Sequence, residues 1–253
     1  MSGTHAHVVT VHGHTPVHRL PARVKLAALV TFVLAVVATP GRQMWAFAIH
    51  ALLVAGVLVF SEIPLSFFLR RVALEVPFVL FAVFLPFLGG GERLDVAGLA
   101  LSVDGLWAAW TIVAKGTLGV SASVVVVATT EEAHLLRGLG ELRVPKVMVA
   151  IAGFMMRYIE VVGGESRRMR IAMSARGYAP RRFGQARALA VAGGSLFIRA
   201  YERGERVHQA MLARGYSGEM PEIEKPEPAP HAWAVGMSIP AAAWLMALSA
   251  WVS

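Results

Sequence analysis

Long uninterrupted apolar runs constrain this chain more than any other feature. They reach roughly 17 to 22 residues, enough to cross the hydrocarbon core of a bilayer as a helix. Lipid offers no partner to backbone N–H and C=O groups, so a single spanning segment must satisfy them internally, as an α-helix does. Charged residues make up only 16% of the 253 residues and hydrophobic ones 56%, whereas a soluble domain usually carries about 25% charge. The expected fold is therefore an all-α integral membrane protein. The absence of cysteine excludes disulfides, thiolate metal sites and cysteine nucleophiles.

The net charge of +8 gathers at Arg19 to Lys25, Arg70/Arg71, Arg137 to Lys146 and Arg157 to Arg214. A nucleic-acid binder would place such charge on a soluble face with aromatics for base stacking. A membrane protein instead collects Lys and Arg on cytoplasmic loops, where they set orientation and meet anionic lipid. The hydropathy favours the membrane reading, with no nucleic-acid partner.

Residues 1–20 are polar and His-rich, without the apolar core of a signal peptide. They read as a cytoplasmic tail, and the first apolar run is expected to be retained. His5, His7, His12, His14 and His18 are spaced so that imidazoles can gather a divalent cation, although an unstructured polar tail explains them as well. Four spans are expected within 21–130, at about 21–40, 45–60, 72–88 and 106–128. Residues 61–71 read as a short basic cytoplasmic connection, and the Gly-rich stretch from Gly89 to Gly105 as an outer loop. Residues 131–220 form a cytoplasmic region of long helices, with 145–176 as one helix along or just under the membrane. A fifth crossing at 147–163 would carry the Arg-rich run after it to the outside, against the positive-inside bias. A Pro- and Glu-rich linker covers 221–231, and residues 232–253 supply the last of about five spans.

Inside the fourth span, Lys115 is costly, at roughly 2.5–3.5 kcal/mol on insertion scales. It must face protein or water, either in an ion pair with Glu62 or Glu75 or along a transport path. Gly116, Gly119 and Ser123 beside it form a small-residue face that lets another helix approach closely.

The most specific signal is a repeat. Residues 167–178 and 205–216 match at seven of twelve positions, and both end on Met-x-Ala-Arg-Gly-Tyr. Gly177 and Gly215 suit left-handed helix caps, and Pro180 and Pro221 prevent continuation. Arg176 and Arg214 in the last turns complement the negative end of the helix dipole. Ordinary helix stops account for Gly and Pro, but not for the same ending twice. A guanidinium on a helix tip is a plug for a carboxylate-lined groove, where its planar fork pairs bidentately. Two plugs imply two equivalent grooves on a dimeric or pseudo-dimeric partner, with Met169, Met173 and Met211 adding adaptable apolar contact. The chain has no phosphate-binding Gly-x-x-x-x-Gly-Lys-Ser/Thr loop, no nucleophile–base set and no zinc helix, so it is not expected to be an enzyme.

With these features the chain resembles the transmembrane T component of energy-coupling factor (ECF) transporters, and more closely the CbiQ/NikQ branch for cobalt and nickel uptake. The resemblance rests on HRLPARVKL, LRRVALEVPFVLFAVFLPF, WTIVAKGTLGVSASVVVVATT, IRAYERGERVHQAMLARGYSG and both Ala-Arg-Gly tips. It covers the chain from His18 to about Gly218. It implies a multi-pass protein of the inner membrane with a cytoplasmic N-terminus. The implied partners are two ATP-binding-cassette subunits of the CbiO/NikO type, a substrate-capturing S component of the CbiM/NikM type, and a small accessory membrane subunit. ATP and magnesium would be bound by the partners and no cofactor by this chain. Ala175, Arg176 and Gly177, with Ala213, Arg214 and Gly215, would engage the ATPases, and Lys115, Gly116 and Gly119 offer a face for the S component. A vitamin ECF transporter would use the same tips. A stand-alone channel using Lys115 is the remaining alternative.

Overall fold

A computed structural model describes residues 13, 15–96, 99–178, 186–218 and 230–252. His5, His7, His12, His14 and the linker at 221–229 lie outside the described residues.

The described chain is almost wholly helical, and its contacts divide it into two units. One unit holds α1 (Pro16–Arg19), α2 (Ala22–Ala38), α3 (Met44–Phe60), α4 (Leu65–Val72), α5 (Val76–Leu88), α6 (Val103–Thr129), α7 (Glu132–Glu141) and α10 (Pro230–Val252). The other holds α8 (Lys146–Ala175) and α9 (Ala186–Leu212). The boundary, at Arg143, falls after α7 and not before it, because α7 packs on α2. Arg23 and Glu141 pair there at 3.6 Å.

In the first unit α2 is the hub, packing on α10, α6 and α7. Its Phe32, Ala35 and Val36 meet Phe47 and Val54 of α3, Leu118 of α6 and Ala243 of α10 in one buried cluster. Ala243, Ala247 and Ala250 of α10 are all buried, a spacing of small residues that brings two helix backbones close. His50 is fully buried, its ring nitrogens 2.7 Å from the Ala46 carbonyl and 3.3 Å from the Ala243 carbonyl of α10. Much of the remaining apolar surface is exposed, including Leu52, Val59, Phe60, Phe78 and Leu88. In water such a surface would aggregate; in a bilayer it is solvated by acyl chains.

The third expected span starts earlier than the sequence suggests. Leu65–Leu88 is one apolar helical stretch, interrupted by a single 3₁₀ turn at Ala73–Glu75. Pro77, at the start of α5, cannot donate to a preceding carbonyl, which accounts for the tightened turn. Arg70 and Arg71 do not break the helix, because they sit in the last turn of α4 and Arg71 lies over the Phe67 ring at 4.7 Å. The stretch expected to be a Gly-rich loop contains a hairpin, β1 (Arg93–Val96) and β2 (Leu99–Ser102), antiparallel with Arg93 opposite Ser102. Ser102 then caps α6, accepting from the Gly105 N–H at 3.1 Å and donating to the Gly90 carbonyl at 2.6 Å. Gly105 lies so close to α5 that a Cβ there would be 2.8 Å from Pro86 Cα.

By length and composition four helical stretches among the described residues can cross a membrane: Leu65–Leu88, Val103–Thr129, Lys146–Ala175 and Pro230–Val252. Helices α2 and α3, at 17 residues each, rise about 26 Å at 1.5 Å per residue, close to the ~30 Å core. Helix α8 is the single long helix expected over 145–176, and it is apolar enough to qualify as a span as well. The arginines at 167, 168 and 170 still argue against its crossing.

Candidate functional site

Helix α8 stops at Ala175, with Arg176 just past helical geometry at φ −92° and ψ 15° and Gly177 left-handed at φ +80°. The Gly177 N–H donates to the Ser174 carbonyl at 3.0 Å, and the Tyr178 N–H to the Met173 carbonyl at 3.1 Å. Helix α9 ends the same way. Gly215 has φ +84°, its N–H donates to Leu212 at 3.0 Å, and the Tyr216 N–H donates to Met211 at 3.0 Å. This pair of bonds, six residues to one and five to two, is the Schellman cap, and only Gly adopts its left-handed position without a Cβ penalty. The burial pattern repeats as well. Met173 and Tyr178 are half-buried, as are Met211 and Tyr216, while Ala175, Arg176, Ala213 and Arg214 are exposed. Neither Arg176 nor Arg214 has an ion-pair partner among the described residues. Each tip thus satisfies its own backbone and presents one unpaired guanidinium to an outside acceptor.

The two helices are joined by a cluster that residue types alone did not reveal. Glu165 of α8 receives Arg199 at 3.2 Å and Arg203 at 3.5 Å, both from α9. The Glu165 side chain is 14% exposed, so the bridge is better shielded than a surface pair. The one signal in the sequence was the i, i+4 spacing of the arginines, which puts both on one face of α9.

The membrane face behaves differently from expectation. Lys115 reaches neither Glu62 nor Glu75: its Nζ donates to the Val37 carbonyl at 2.7 Å. Val37 belongs to the last turn of α2, whose carbonyls have no partner within the helix. The Thr39 N–H covers Ala35 and Val36, Lys115 covers Val37 and the Trp251 indole covers Ala38 at 2.9 Å. Lys115 is therefore a cap supplied by a neighbouring helix, with its charge at the negative end of the α2 dipole. Gly116 allows the Glu75 carboxylate to lie against α6, where any Cβ would meet Glu75 Oε1. Gly119 faces open space. The two glycines thus have separate surroundings, one filled from within the chain and one vacant. Among the described residues no three His, Asp or Glu side chains group to hold a metal ion.

Comparison with known proteins converges on one family. The family model described as CbiQ, cobalt transport protein, matches residues 13–224. The chain is 28% identical over 225 residues to the energy-coupling factor transporter transmembrane protein EcfT 1 of Listeria monocytogenes, covering 82% of this chain and 83% of that one. It is 28% identical over 228 residues to EcfT of Bacillus selenitireducens, covering 82% of each. The cobalt transport protein CbiQ of Rhodobacter capsulatus is 28% identical over 182 residues, covering 72% of this chain and 71% of that protein. Helices with lipid-compatible surfaces and a family match across most of the length agree. The chain belongs to the CbiQ cobalt transport protein family and is a multi-pass transmembrane T component of the ECF transporter type.

Proposed function

We propose that this chain is the coupling subunit of an ATP-driven importer for cobalt or nickel ions in the cytoplasmic (inner) membrane, with its N-terminus in the cytoplasm. Arg176 and Arg214 each dock in a carboxylate-lined groove of one of two ATP-binding-cassette subunits. ATP-driven closure of those subunits moves the helix tips, and α8 and α9 pass the motion to an S component that holds the ion. ATP and magnesium are bound by the ATPases, and this chain needs no cofactor of its own. The observation that carries the reading is the pair of matching caps, each leaving its arginine exposed. The family description as a cobalt transport protein supports the cargo. Replacing Arg176 and Arg214 together by Glu should abolish uptake of radioactive cobalt and co-purification of the ATPases. Wild-type uptake by the double variant would overturn the proposal.

A second reading has the equal identity of 28% to the EcfT relatives in its favour: a T component serving S components for other nutrients, vitamins among them. Partners co-purified in mild detergent decide. An S component that binds a divalent metal supports the first reading, and a vitamin-binding one supports the second.

A further inference from the structure

A cavity of about 290 Å³ lies inside the first unit, between α2, α3, α6 and α10, with α1 at its rim. Its walls come from Leu20, the α2 stretch from Lys25 to Phe32, the N-terminal half of α10 and the C-terminal halves of α3 and α6, including Val54, Val125 and Ile239. All these segments meet at one end of the bundle. That end also carries Arg19 and Arg23, and the positive-inside bias assigns it to the cytoplasmic leaflet. Nearly every lining group is apolar, and Lys25 is the one charged residue among them.

Lys25 is only 5% exposed. Its ammonium donates to the Thr129 carbonyl at 2.9 Å and to Thr130 Oγ1 at 3.0 Å, with Thr129 Oγ1 at 3.3 Å and the His18 carbonyl at 3.4 Å. Every one of these acceptors is neutral, and among the described residues no carboxylate pairs with it. As at Lys115, a helix C-terminus lies against the charge, here that of α6, which ends at Thr129; unlike Lys115, Lys25 also lines an apolar cavity. The C-terminus of α6 offers only a partial negative charge, and a buried full charge is ordinarily compensated by an opposite one.

We infer that this cavity is a binding site for an anionic phospholipid of the cytoplasmic leaflet. One acyl chain fills the apolar space, and the phosphate compensates Lys25 at the rim beside Arg19. A basic pocket between membrane helices on this side is a recurring way of holding anionic headgroups. The lipid fastens α10 to α2 and α3 at the end of the bundle nearest the charged loops.

Native mass spectrometry of the delipidated full chain, titrated with dioleoylphosphatidylglycerol or dioleoylphosphatidylcholine, tests the site. The expected result is one phosphatidylglycerol retained per chain, at least tenfold more tightly than phosphatidylcholine. Lys25→Met should remove that preference, and Ala122→Phe, which fills the cavity, should remove the retained lipid. Equal retention of the two lipids by the wild type, or undiminished preference in Lys25→Met, would overturn the inference. So would the absence of any retained lipid, as expected if a protein segment occupies the space. Should Ala122→Phe fail to fold, the comparison of lipids on the wild type and Lys25→Met still decides.

Discussion

Helix α2 of the first unit and the two helices of the second end in opposite ways. The last carbonyls of α2 are covered by Lys115 from α6 and Trp251 from α10, partners far away in sequence. Helices α8 and α9 close on themselves through local Schellman bonds and need nothing from another element. The contrast extends along their lengths. Helix α2 buries Val24, Phe32, Ala35 and Val36, while α8 buries no residue in thirty and leaves Val147, Ile151, Met155 and Ile159 exposed. An isolated helix gains most of its stability from packing an apolar face, so α8 must find that packing in lipid or in partner proteins. Helix α2 is packed and capped from within its own unit, whereas α8 leaves its apolar face uncovered.

Substitutions at matched positions can break this comparison. The largest effect is expected at Gly105, where a side chain would run into the α5 backbone at Pro86. Gly105→Leu should cost about 3 kcal/mol by overpacking, read as a clear fall in melting temperature of the detergent-solubilised chain. Next comes Gly177→Val, together with Gly215→Val. A β-branched residue in a left-handed cap costs about 1–2 kcal/mol, but the tips are exposed, so only the last turns should fray. Melting temperature should hardly change while uptake falls, and a parallel fall in melting temperature would show that the tips are part of the folded core. The smallest effect is expected from Lys115→Met, which removes a hydrogen bond of about 1 kcal/mol. It should lower the melting temperature slightly and leave uptake intact, whereas loss of uptake at unchanged stability would restore a transport-path role for Lys115.

These contrasts also explain what the sequence could and could not reveal. The left-handed glycine stops at the tips were legible, because a Schellman cap is a local structure whose Gly carries its own signature. The apolar runs gave the helices for the same reason. Arg70 and Arg71 obscured the start of the third span, since a charge pair reads as a break until its place at the end of α4 is known. The partner of Lys115 was invisible because it is a backbone carbonyl, and a search among acidic side chains could not find it. The Glu165 cluster required knowing which faces of α8 and α9 meet. Local chemistry was readable; tertiary capping was not.

The central claim is that the two tips plug into two ATPase grooves. The chain has no native cysteine, so a single cysteine can be placed at Ala175, at Ala213, or at Gly204 within α9, each labelled with a short photo-crosslinker. In membranes containing the whole transporter, labels at 175 and 213 should each capture an ATPase subunit, and the label at 204 should not. Capture of only lipid or the S component from both tip positions would contradict the account.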